Sequence, residues 1–353
     1  MSSFRGRILR VATFGESHGP GLGVVLEGVP AGLKLDQSQI QAELDKRRPG
    51  TSPHVSPRRE PDQVEMLSGL AEGKTLGTPI AMLVRNQDVR SQDYNELAKV
   101  FRPGHADYTY WHKYGTSPQP GGGRASGRET LARVAAGAVA KVLLEPVGIS
   151  FIAYTVGVGK IRAQRIDREF ALTHPLRAAD PDLAEAMVEE INKARESGDS
   201  VGGVVELLID NPPAGLGDPV FDKLDALLGG AIFSIGGVKG VEIGSGFDAS
   251  CRLGSENNDQ MGPDGFLSNH AGGILGGISS GQPIVMRLAV KPTPSISREQ
   301  SSQDLEGRPT FINIKGRHDP CLCPRVAPVA EAMAALVIAD AWLMQLALER
   351  SRQ

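Results

Sequence analysis

The chain has 353 residues, of which 40% are hydrophobic and 22% are charged, and its formal net charge is −3. This composition is typical of a folded globular protein, and the length allows one large domain or two medium-sized ones. The negative charge and an aromatic content of only 5% argue against nucleic-acid binding through a basic surface or through stacking platforms. Any anion site must therefore be local.

Three cysteines are present, and Cys321 and Cys323 are too close in sequence for a comfortable disulfide. An odd number of cysteines favours a reducing compartment, and two thiols without a second pair make a poor zinc site. The N-terminal residues lack the apolar core of a signal peptide, and no apolar run reaches membrane-spanning length. We expect a cytoplasmic protein with no metal ion and no membrane contact.

The predicted elements mix strands and helices without a regular βαβ rhythm. In the first half we expect strands at 4–11, 24–29, 63–67 and 80–84, a helix from Asp36 to the Pro49-Gly50 stop, and irregular structure over 86–125. In the second half we expect a long helix after Ser126, strands at 149–158, 204–209 and 284–290, and helices at 180–194, 220–233 and 325–348. This mixture favours α+β layers over a doubly wound sheet, and no domain linker is evident.

The most informative block is the run GGGRASGRE at 121–129. Three glycines allow positive φ at each step, and Ser126 and Glu129 have the spacing of a capping box before a helical apolar pattern. Free N–H groups, a helix dipole, Arg124 and Arg128 would then meet at one place, which suits an oxyanion such as phosphate. The structural alternative is a glycine-rich turn before a capped core helix.

Two histidines lie in turn sequences, where a side chain can transfer a proton near neutral pH. His18 follows Ser17 in a glycine-rich loop. His105 follows a Pro-Gly pair, with Asp107 or Tyr108 close enough in sequence to set its tautomer. The alternative for each histidine is a turn position without a chemical role.

Cationic blocks accompany these histidines. The pairs Arg47-Arg48 and Arg58-Arg59 suit bidentate capture of phosphate or carboxylate, unless they form a solvated basic loop. Segments 291–295 and 315–320 add lysine, threonine, serine and arginine, which are suitable phosphate contacts. Asp319 is placed to orient a histidine or a cofactor nitrogen.

Glycines are also dense at 244–246 and 272–281, where they either let a ligand approach the backbone or mark crowded turns. The P-loop, the dinucleotide fingerprint, the nucleophile elbow and the zinc helix are missing from the sequence. The pattern therefore predicts a loop-built pocket that contains histidine and binds phosphate or carboxylate groups.

Nine blocks of the chain, taken in order, resemble the chorismate synthase family. They are GESHG at 15–19, RRPGTS at 47–52, RREPD at 58–62, RPGHAD at 102–107, GGGRASGRET at 121–130, GVEIGSGF at 240–247, SNHAGGILGGISSG at 268–281, KPT at 291–293 and GRHDPC at 316–321. The resemblance covers nearly the whole chain and implies a single domain over 1–353, a β-α-β sandwich that assembles as a homotetramer. It also implies reduced FMN as cofactor and conversion of 5-enolpyruvylshikimate-3-phosphate to chorismate and phosphate, the last step of the shikimate pathway.

The implied reaction is a trans 1,4-elimination without net redox change. The resemblance assigns His18 to protonating the departing phosphate and His105 to the reduced flavin. It places Asp319 beside the flavin's proton-accepting nitrogen, with Ser17 and Ser126 nearby. Flavin contacts are implied for Arg124, Ala125, Ser126, Gly236, Gly237, Gly276, Lys291, Pro292, Thr293, Pro294, Ser295 and Arg317. For capture of substrate or phosphate we expect Arg47, Arg48, Arg128 and Arg317.

Two positions depart from the family's usual pattern. Pro53 stands where many members have an arginine that contacts a nicotinamide, which leaves NADP binding open. Ala125 removes a hydroxyl from the flavin loop, so contacts around Ser126 are expected to be weaker or rearranged. No extra domain for flavin reduction is evident, and we expect an external reductant. Two other hypotheses are a nucleic-acid-binding protein that uses the arginine loops and a silent member that binds FMN or phosphate without turnover.

Overall fold

The structure, a computed structural model, describes residues 3–48, 50, 60–87, 99–314 and 318–350. The first strands are β1 Ser3–Arg5, β2 Arg10–Gly15, β3 Gly21–Glu27, β4 Val64–Ser68, β5 Leu70–Ala71, β6 Lys74–Thr75 and β7 Ile80–Arg85. Five of them form an antiparallel sheet in the order β1-β2-β3-β7-β4, and β5 pairs with β6. In β7, Ile80, Met82 and Val84 are buried in alternation, so one face of this sheet packs on the core.

A second antiparallel sheet comes from the later part of the chain. Its members and the neighbouring hairpins are β8 Ser150–Val158, β9 Ile161–Arg162, β10 Gly203–Asp210, β11 Val238–Ile243, β12 Met261–Gly262, β13 Gly265–Phe266, β14 Ile274–Leu275, β15 Ile278–Ser279, β16 Ile284–Val290, β17 Gln300–Gln303 and β18 Pro309–Ile312. The sheet order is β11-β16-β10-β8-β9, and β12-β13, β14-β15 and β17-β18 form pairs. Strand β16 has the alternation predicted for a half-buried strand.

Helices lie between the two sheets and at their ends. They are α1 Gln37–Arg47, α2 Asp107–Tyr114, α3 Thr130–Leu144, α4 Arg168–Thr173, α5 Ala184–Glu196, α6 Leu224–Phe233, α7 Gly254–Asn257 and α8 Cys323–Arg350. Helix α1 begins as predicted at Asp36, whose side chain and that of Gln39 form a reciprocal capping box.

The two sheets enclose a helical layer. Helix α3 packs on β3 of the first sheet, α8 packs on β8 and β10 of the second, and the two helices pack on each other. Their close approach requires Gly137, because a Cβ there would lie 2.4 Å from Cβ of Ala332. One continuous hydrophobic core includes residues from both sheets and all three layers. The predicted α+β fold, a β-α-β sandwich, is therefore confirmed, while the extent of the predicted domain stays a prediction.

Helix α8 corrects the expectation that no apolar run of this chain reaches membrane-spanning length. Its segment Cys323–Glu349 has the length and composition of a membrane span, but 94% of its most apolar part is buried inside the protein. The apolar side chains of α8 are thus accounted for by the core between the sheets.

Three element boundaries differ from the prediction. The single strand expected at 4–11 is two strands, because Asp340 of α8 accepts hydrogen bonds from the backbone N–H groups of Arg7, Ile8 and Leu9 and holds the turn between them. Helix α2 lies in the stretch expected to be irregular; only Asp107 of this helix is buried, so it has no apolar stripe to reveal it. The helix expected directly after Ser126 begins at Thr130, after two 3-10 turns.

Candidate active site

A cavity of about 650 Å³ opens where three helices begin. Asp107, Thr130 and Arg325, in the first turns of α2, α3 and α8, are part of its wall. The rest of the wall comes from the glycine loop before α3, the turn after α6 and the segment after β16. Because a helix N-terminus has free N–H groups and a partial positive charge, this arrangement favours an anionic ligand.

Charged side chains in the wall add to that preference. The described part of the wall contains six cationic side chains and four carboxylates, so its net charge is positive although the whole chain is negative. The cations are Arg102, Arg124, Arg128, Arg133, Lys291 and Arg325, and the carboxylates are Glu60, Asp107, Glu129 and Asp319. The cavity therefore has the local positive charge that an anion site requires.

The glycine loop before α3 packs directly against His18. Gly121, Gly122 and Gly123 have φ values of 62°, 85° and 51°, a region that favours glycine. A Cβ on Gly121 would lie 2.1 Å from Cε1 of His18 and 3.1 Å from Oγ of Ser17. The hydroxyl of Ser17 is buried and makes no hydrogen bond with any described residue. The loop thus brings both predicted side chains to the edge of the cavity, although neither is part of the described wall.

Of the capping box predicted for Ser126 and Glu129, only the hydrogen bond to the Ser126 side chain has a counterpart in the structure. Oγ of Ser126 accepts a hydrogen bond from the backbone N–H of Arg128 at 3.3 Å, but it caps the 3-10 turn Gly127–Glu129 and not α3 itself. The carboxylate of Glu129 does not return to Ser126; it accepts a hydrogen bond from Oγ1 of Thr13 at 3.0 Å. Glu129 therefore joins the start of the helix to strand β2.

Arg124 also reaches towards β2. Its Nη1 donates to the carbonyl oxygen of Gly15 at 2.8 Å, and its Nη2 donates to the hydroxyl of Thr13 and lies 3.4 Å from Glu129. Arg124 is part of the cavity wall together with Ala125 and Ser126, but its guanidinium is committed to protein acceptors. In this arrangement it fastens the loop to the sheet.

His105 is held by Ser295 and not by Asp107 or Tyr108. Its Nε2 lies 2.7 Å from Oγ of Ser295. Asp107 instead forms a buried two-bond pair with Arg102, at 2.7 and 2.8 Å. Burial, with smaller contributions from Arg102 and Lys291, lowers the pKa of His105 to about 4 although Asp107 opposes it. The imidazole is therefore neutral at neutral pH.

The segment after β16 ties the His105 turn to the start of α8. Nζ of Lys291 donates to the carbonyl oxygen of Gly104 at 2.6 Å, and Oγ1 of Thr293 donates to the carbonyl oxygen of Asp319 at 2.6 Å. The carboxylate of Asp319 pairs with Nη1 of Arg325 at 2.6 Å. Lys291 has no carboxylate partner among the described residues, and burial followed by Lys239 lowers its pKa.

Arg128 and Arg47 meet on the far side of the glycine loop. Arg128 is part of the cavity wall, and its Nη1 donates to Oδ1 of Asp62 at 2.8 Å. Arg47 is only 1% exposed, and its Nη2 donates to Oδ2 of the same carboxylate at 3.1 Å. The two arginines thus share one buried acid, and only Arg128 is in the described wall.

Comparison with known proteins places this arrangement in a family. Residues 9–343 match the family described as "Chorismate synthase". The chain belongs to the chorismate synthase family. Relatives with that name include one from Nitratidesulfovibrio vulgaris strain DP4, 54% identical over 96% of each chain, and one from Methanocella arvoryzae, 55% identical over 95% of this chain and 92% of its own. A solved structure titled "Crystal Structure of Chorismate Synthase" has a TM-score of 0.75 and 34% identity and covers 97% of this chain and 93% of that one.

Most residues predicted from the chorismate synthase resemblance converge on the cavity. Its described wall contains these predicted residues: His105, Asp319, Arg124, Ala125, Ser126, Arg128, Gly236, Gly237, Lys291, Thr293, Pro294 and Ser295. They come from five separate parts of the sequence. Their assigned roles stay predictions, since placement alone does not test a role.

Other predicted residues lie elsewhere. Arg47 is buried behind Arg128, and Arg48 is half-exposed at the end of α1, 3.6 Å from Asp45. Gly276 lies in the β14-β15 hairpin turn, with open space where its Cβ would be. Pro292 is within the Lys291–Ser295 segment but not in the described wall. Arg317, Pro53 and the pair Arg58-Arg59 lie outside the described residues.

Most glycines at 244–246 and 272–281 lie in crowded turns, and the predicted flavin contact of Gly276 stays a prediction. A Cβ on Gly244 would lie 2.5 Å from the backbone N of Gly272, so these two turns pack backbone to backbone. None of the described residues in these segments is in the cavity wall. Close packing thus accounts for Gly244, Gly246, Gly272, Gly273 and Gly277, whereas Gly276 has open space around its Cβ position.

Several wall residues were not singled out from the sequence. Glu60 lies in the RREPD block and Arg102 in the RPGHAD block, and neither side chain was predicted to line a site. Arg133 is inside α3, where its Nη1 donates to Oγ of Ser234 at 2.6 Å. Nothing in the sequence indicated that Arg133 borders a cavity.

Proposed function

We propose that this chain is a lyase that converts 5-enolpyruvylshikimate-3-phosphate to chorismate and phosphate, the last step of the shikimate pathway and a step towards the aromatic amino acids. Family membership supports the reaction. The observation that carries the proposal is the positively charged cavity, which collects His105, Asp319 and Ser126 at the beginnings of three helices. The reaction is a trans 1,4-elimination in which phosphate leaves ring carbon 3 and a hydrogen leaves carbon 6.

The substrate has one phosphate and two carboxylates, and the cavity offers matching cations. The wall includes Arg102, Arg128 and Lys291, which come from three separate parts of the sequence. A charge-assisted hydrogen bond contributes roughly 1.5–3 kcal/mol, so a few such contacts are enough for selective binding of a substrate with three anionic groups. Arg317 is proposed to join them, as the resemblance implies.

His18 is proposed to hold the proton that the departing phosphate takes. Its ring packs on the backbone of Gly121, at the edge of the cavity, next to the buried hydroxyl of Ser17. Proton transfer to the leaving group relieves the charge that develops on the phosphate oxygen as the carbon–oxygen bond breaks. The contact with Gly121 fixes the ring position without a side chain between His18 and the ligand.

The cavity also fits FMN. It has the volume of a small-molecule site, a positively charged wall, and backbone approach at Gly121, Gly122, Gly236 and Gly237. Arg124–Ser126, Gly236–Gly237 and Lys291–Ser295 are the residues proposed to hold it. When bound, reduced FMN supplies electron density to the reacting ring and accepts the hydrogen, with no net redox change.

His105 is proposed to serve the reduced flavin as a neutral imidazole. Its low pKa, about 4, keeps both ring nitrogens available for a neutral donor and acceptor pair at physiological pH. The hydrogen bond with Ser295 occupies Nε2, which leaves Nδ1 for the ligand side. Asp319, paired with Arg325, is proposed to assist at the flavin's proton-accepting nitrogen.

We further propose a homotetramer in the cytoplasm that depends on an external flavin reductant, with NADP binding left open at Pro53. These proposals follow the family resemblance. Sedimentation of the purified protein tests the assembly state, and turnover with NADPH in place of dithionite tests the source of electrons.

An anaerobic turnover assay tests the proposed function. The purified protein receives FMN, dithionite and 5-enolpyruvylshikimate-3-phosphate, and chorismate and phosphate are followed together. Equal release of both products, only with reduced FMN, is expected. Tight FMN binding with no release of either product would instead support a silent binding protein, and would point to the departures at Pro53 and Ala125.

A further inference from the structure

One fully buried carboxylate, Asp62, connects a cavity arginine to an arginine behind the cavity. Its side chain is 0% exposed, and each of its oxygens accepts one hydrogen bond, from Arg128 and from Arg47. Arg128 is part of the cavity wall, whereas Asp62 and Arg47 are absent from the described wall. Asp62 is therefore placed to act on a cavity ligand through Arg128, whose side chain it holds directly and whose backbone it reaches by way of Arg47.

The second arginine fixes the backbone that carries the first. Nη1 of Arg47 donates to the carbonyl oxygen of Gly127 at 3.2 Å, to that of Arg128 at 3.4 Å and to Oγ1 of Thr130 at 3.1 Å. Burial lowers the pKa of Arg47 to about 10, with Asp62 opposing the shift, so Arg47 stays charged at neutral pH. Asp62 and Arg47 thus hold Arg128 from the side chain and from the backbone.

Asp62 is itself held in place by α1. Gln41 donates to the carbonyl oxygen of Asp62 at 3.2 Å and accepts from the N–H of Val64 at 3.0 Å. The backbone of Asp62 has φ +46°, which is uncommon for a residue other than glycine. An aspartate kept in this conformation, with both oxygens used, is a rigid acceptor.

Two guanidinium nitrogens of Arg128 donate hydrogen bonds to described residues, and the third does not. Nε donates to Oδ1 of Asn86 at 2.6 Å and Nη1 donates to Asp62. Nη2 lies 3.3 Å from Glu60 but makes no hydrogen bond with any described residue, although it is buried. A buried guanidinium nitrogen without a hydrogen bond is costly, so Nη2, although paired with Glu60, keeps donor capacity that an anionic ligand at the cavity wall can satisfy.

We propose that Asp62 is a positioning residue for substrate recognition: it holds the guanidinium of Arg128 so that Nη2 meets an anionic group of the substrate. The inference rests on the proposed function. Arginine recognises phosphate and carboxylate through a planar fork, and binding is strongest when that plane is already fixed. The same arrangement predicts an effect on substrate affinity and little effect on the chemical step.

A double-mutant cycle tests this proposal, with the variants Asp62→Asn, Arg128→Met and both together. The dissociation constant of 5-enolpyruvylshikimate-3-phosphate is measured by titration calorimetry, and kcat by phosphate release. We expect each single change to weaken binding on the order of 10- to 100-fold, since one charge-assisted contact is lost or misdirected, while Asp62→Asn leaves kcat within about threefold. The double variant should bind no more weakly than Arg128→Met, because Asp62 acts through Arg128.

The matched control is Glu331→Gln, which removes another buried carboxylate from an ion-pair network outside the described wall. Its substrate affinity should equal that of the wild type. The proposal is overturned if Asp62→Asn binds as the wild type does, or if it weakens binding equally with and without Arg128.

Failure of the proposed function and failure of the positioning role of Asp62 would give different experimental results. A wild-type protein that neither binds nor converts the substrate contradicts the proposed function. A wild-type protein that does both, with an affinity unaffected by Asp62→Asn, contradicts only the positioning role. If Asp62→Asn alone does not fold, the double variant is compared with Arg128→Met, and a further loss of affinity in the double variant contradicts the proposal.

Discussion

Two buried carboxylates, Asp62 and Glu331, each bridge two cations, yet only one of these networks reaches the cavity. Glu331, in α8 and 2% exposed, accepts from Nζ of Lys141 at 2.7 Å and lies 3.1 Å from Nη2 of Arg177. None of these three residues is in the described cavity wall, whereas Asp62 holds Arg128, which is. Burial and ion pairing are alike in the two places, so they do not by themselves mark a functional site.

The difference lies in what each network connects. Glu331 also accepts the backbone N–H of Ala153 at 3.0 Å, so it links α3, α8 and strand β8 inside the sandwich. Burial raises the pKa of Glu331, but Lys141 and Arg177 outweigh it and lower the pKa to about 2. Each network leaves one buried guanidinium nitrogen without a hydrogen bond among the described residues, Nη1 of Arg177 and Nη2 of Arg128, but only Arg128 is in the described cavity wall. An unsatisfied donor at a cavity is the feature that separates recognition from stability.

The largest effect should come from His18 and His105. We expect His18→Ala and His105→Ala each to lower kcat on the order of 10²–10⁴-fold, because the first removes the proposed proton donor to the phosphate and the second removes the imidazole proposed to serve the flavin. Chorismate formation is measured anaerobically with reduced FMN. His112→Ala, at an exposed histidine of α2, is the control and should keep wild-type turnover. Wild-type rates in both His18→Ala and His105→Ala would remove the assigned roles.

The second-largest effect should be a lower free energy of unfolding, without a change in substrate affinity. Glu331→Gln leaves Lys141 and Arg177 without their shared buried acid, and breaking such a pair costs about 3–5 kcal/mol of unfolding free energy. Urea denaturation measures this cost. Because the folded-state pKa of Glu331 is about 2, the stability it contributes is present above about pH 4.5 and is lost as the pH falls towards 2. The variant should lack this acid-dependent loss.

The distinction between the Asp62 and Glu331 networks would be contradicted if Glu331→Gln weakened substrate binding as Asp62→Asn is expected to do. Both networks would then act through general stability, and the missing hydrogen bond at Nη2 of Arg128 would have no special meaning for recognition.

A third, smaller effect concerns the glycine loop. Gly121→Ala places a Cβ 2.1 Å from His18, and its φ of 62° adds strain of roughly 1–3 kcal/mol. We expect lower stability together with at least about a tenfold loss of kcat, since His18 must move. Gly115→Ala is the matched control, with φ 66° but nothing within 4 Å of its Cβ. Equal turnover in the two variants would show that the contact with His18 is unimportant.

The smallest effect is the acid dependence that His105 contributes. Its folded-state pKa of about 4 lies below the usual 6.5, so the unfolded chain binds a proton that the folded chain does not. The unfolding free energy should therefore fall as the pH is lowered from about 6.5 to 4, by at most about 1.4 kcal/mol per pH unit from this group. Denaturation of the wild type and of His105→Asn over this range measures the difference. A difference that does not change with pH would contradict the buried, neutral imidazole.

Much of the fold was predictable because local patterns agree with it. The alternation in β16 and the cap at Asp36 each match the structure within a few residues. Helix α2 was missed because its sequence has no apolar stripe. The turn between β1 and β2 was missed because Asp340, which holds it, lies more than 330 residues away in the sequence.

Individual residues of the candidate site could be predicted from the sequence, but their partners in space could not. The positive φ angles of Gly121–Gly123 follow from three consecutive glycines, and the family blocks marked His18 and His105. The partner of His105 was predicted as Asp107 or Tyr108, but the structure places Ser295 there, 190 residues away. Nearness in sequence was a poor guide because Asp107 is already used by Arg102.

The sequence by itself determined the family, the strand and helix patterns and the chemical types available to the site. Only the tertiary structure decided which of two arginines predicted to capture the substrate, Arg47 or Arg128, is in the cavity wall. Local propensity depends on neighbours a few residues apart, whereas charge pairing depends on which distant segments the core brings together. Asp62 and Arg128 are 66 residues apart and meet because α1, α3 and the first sheet pack on one another.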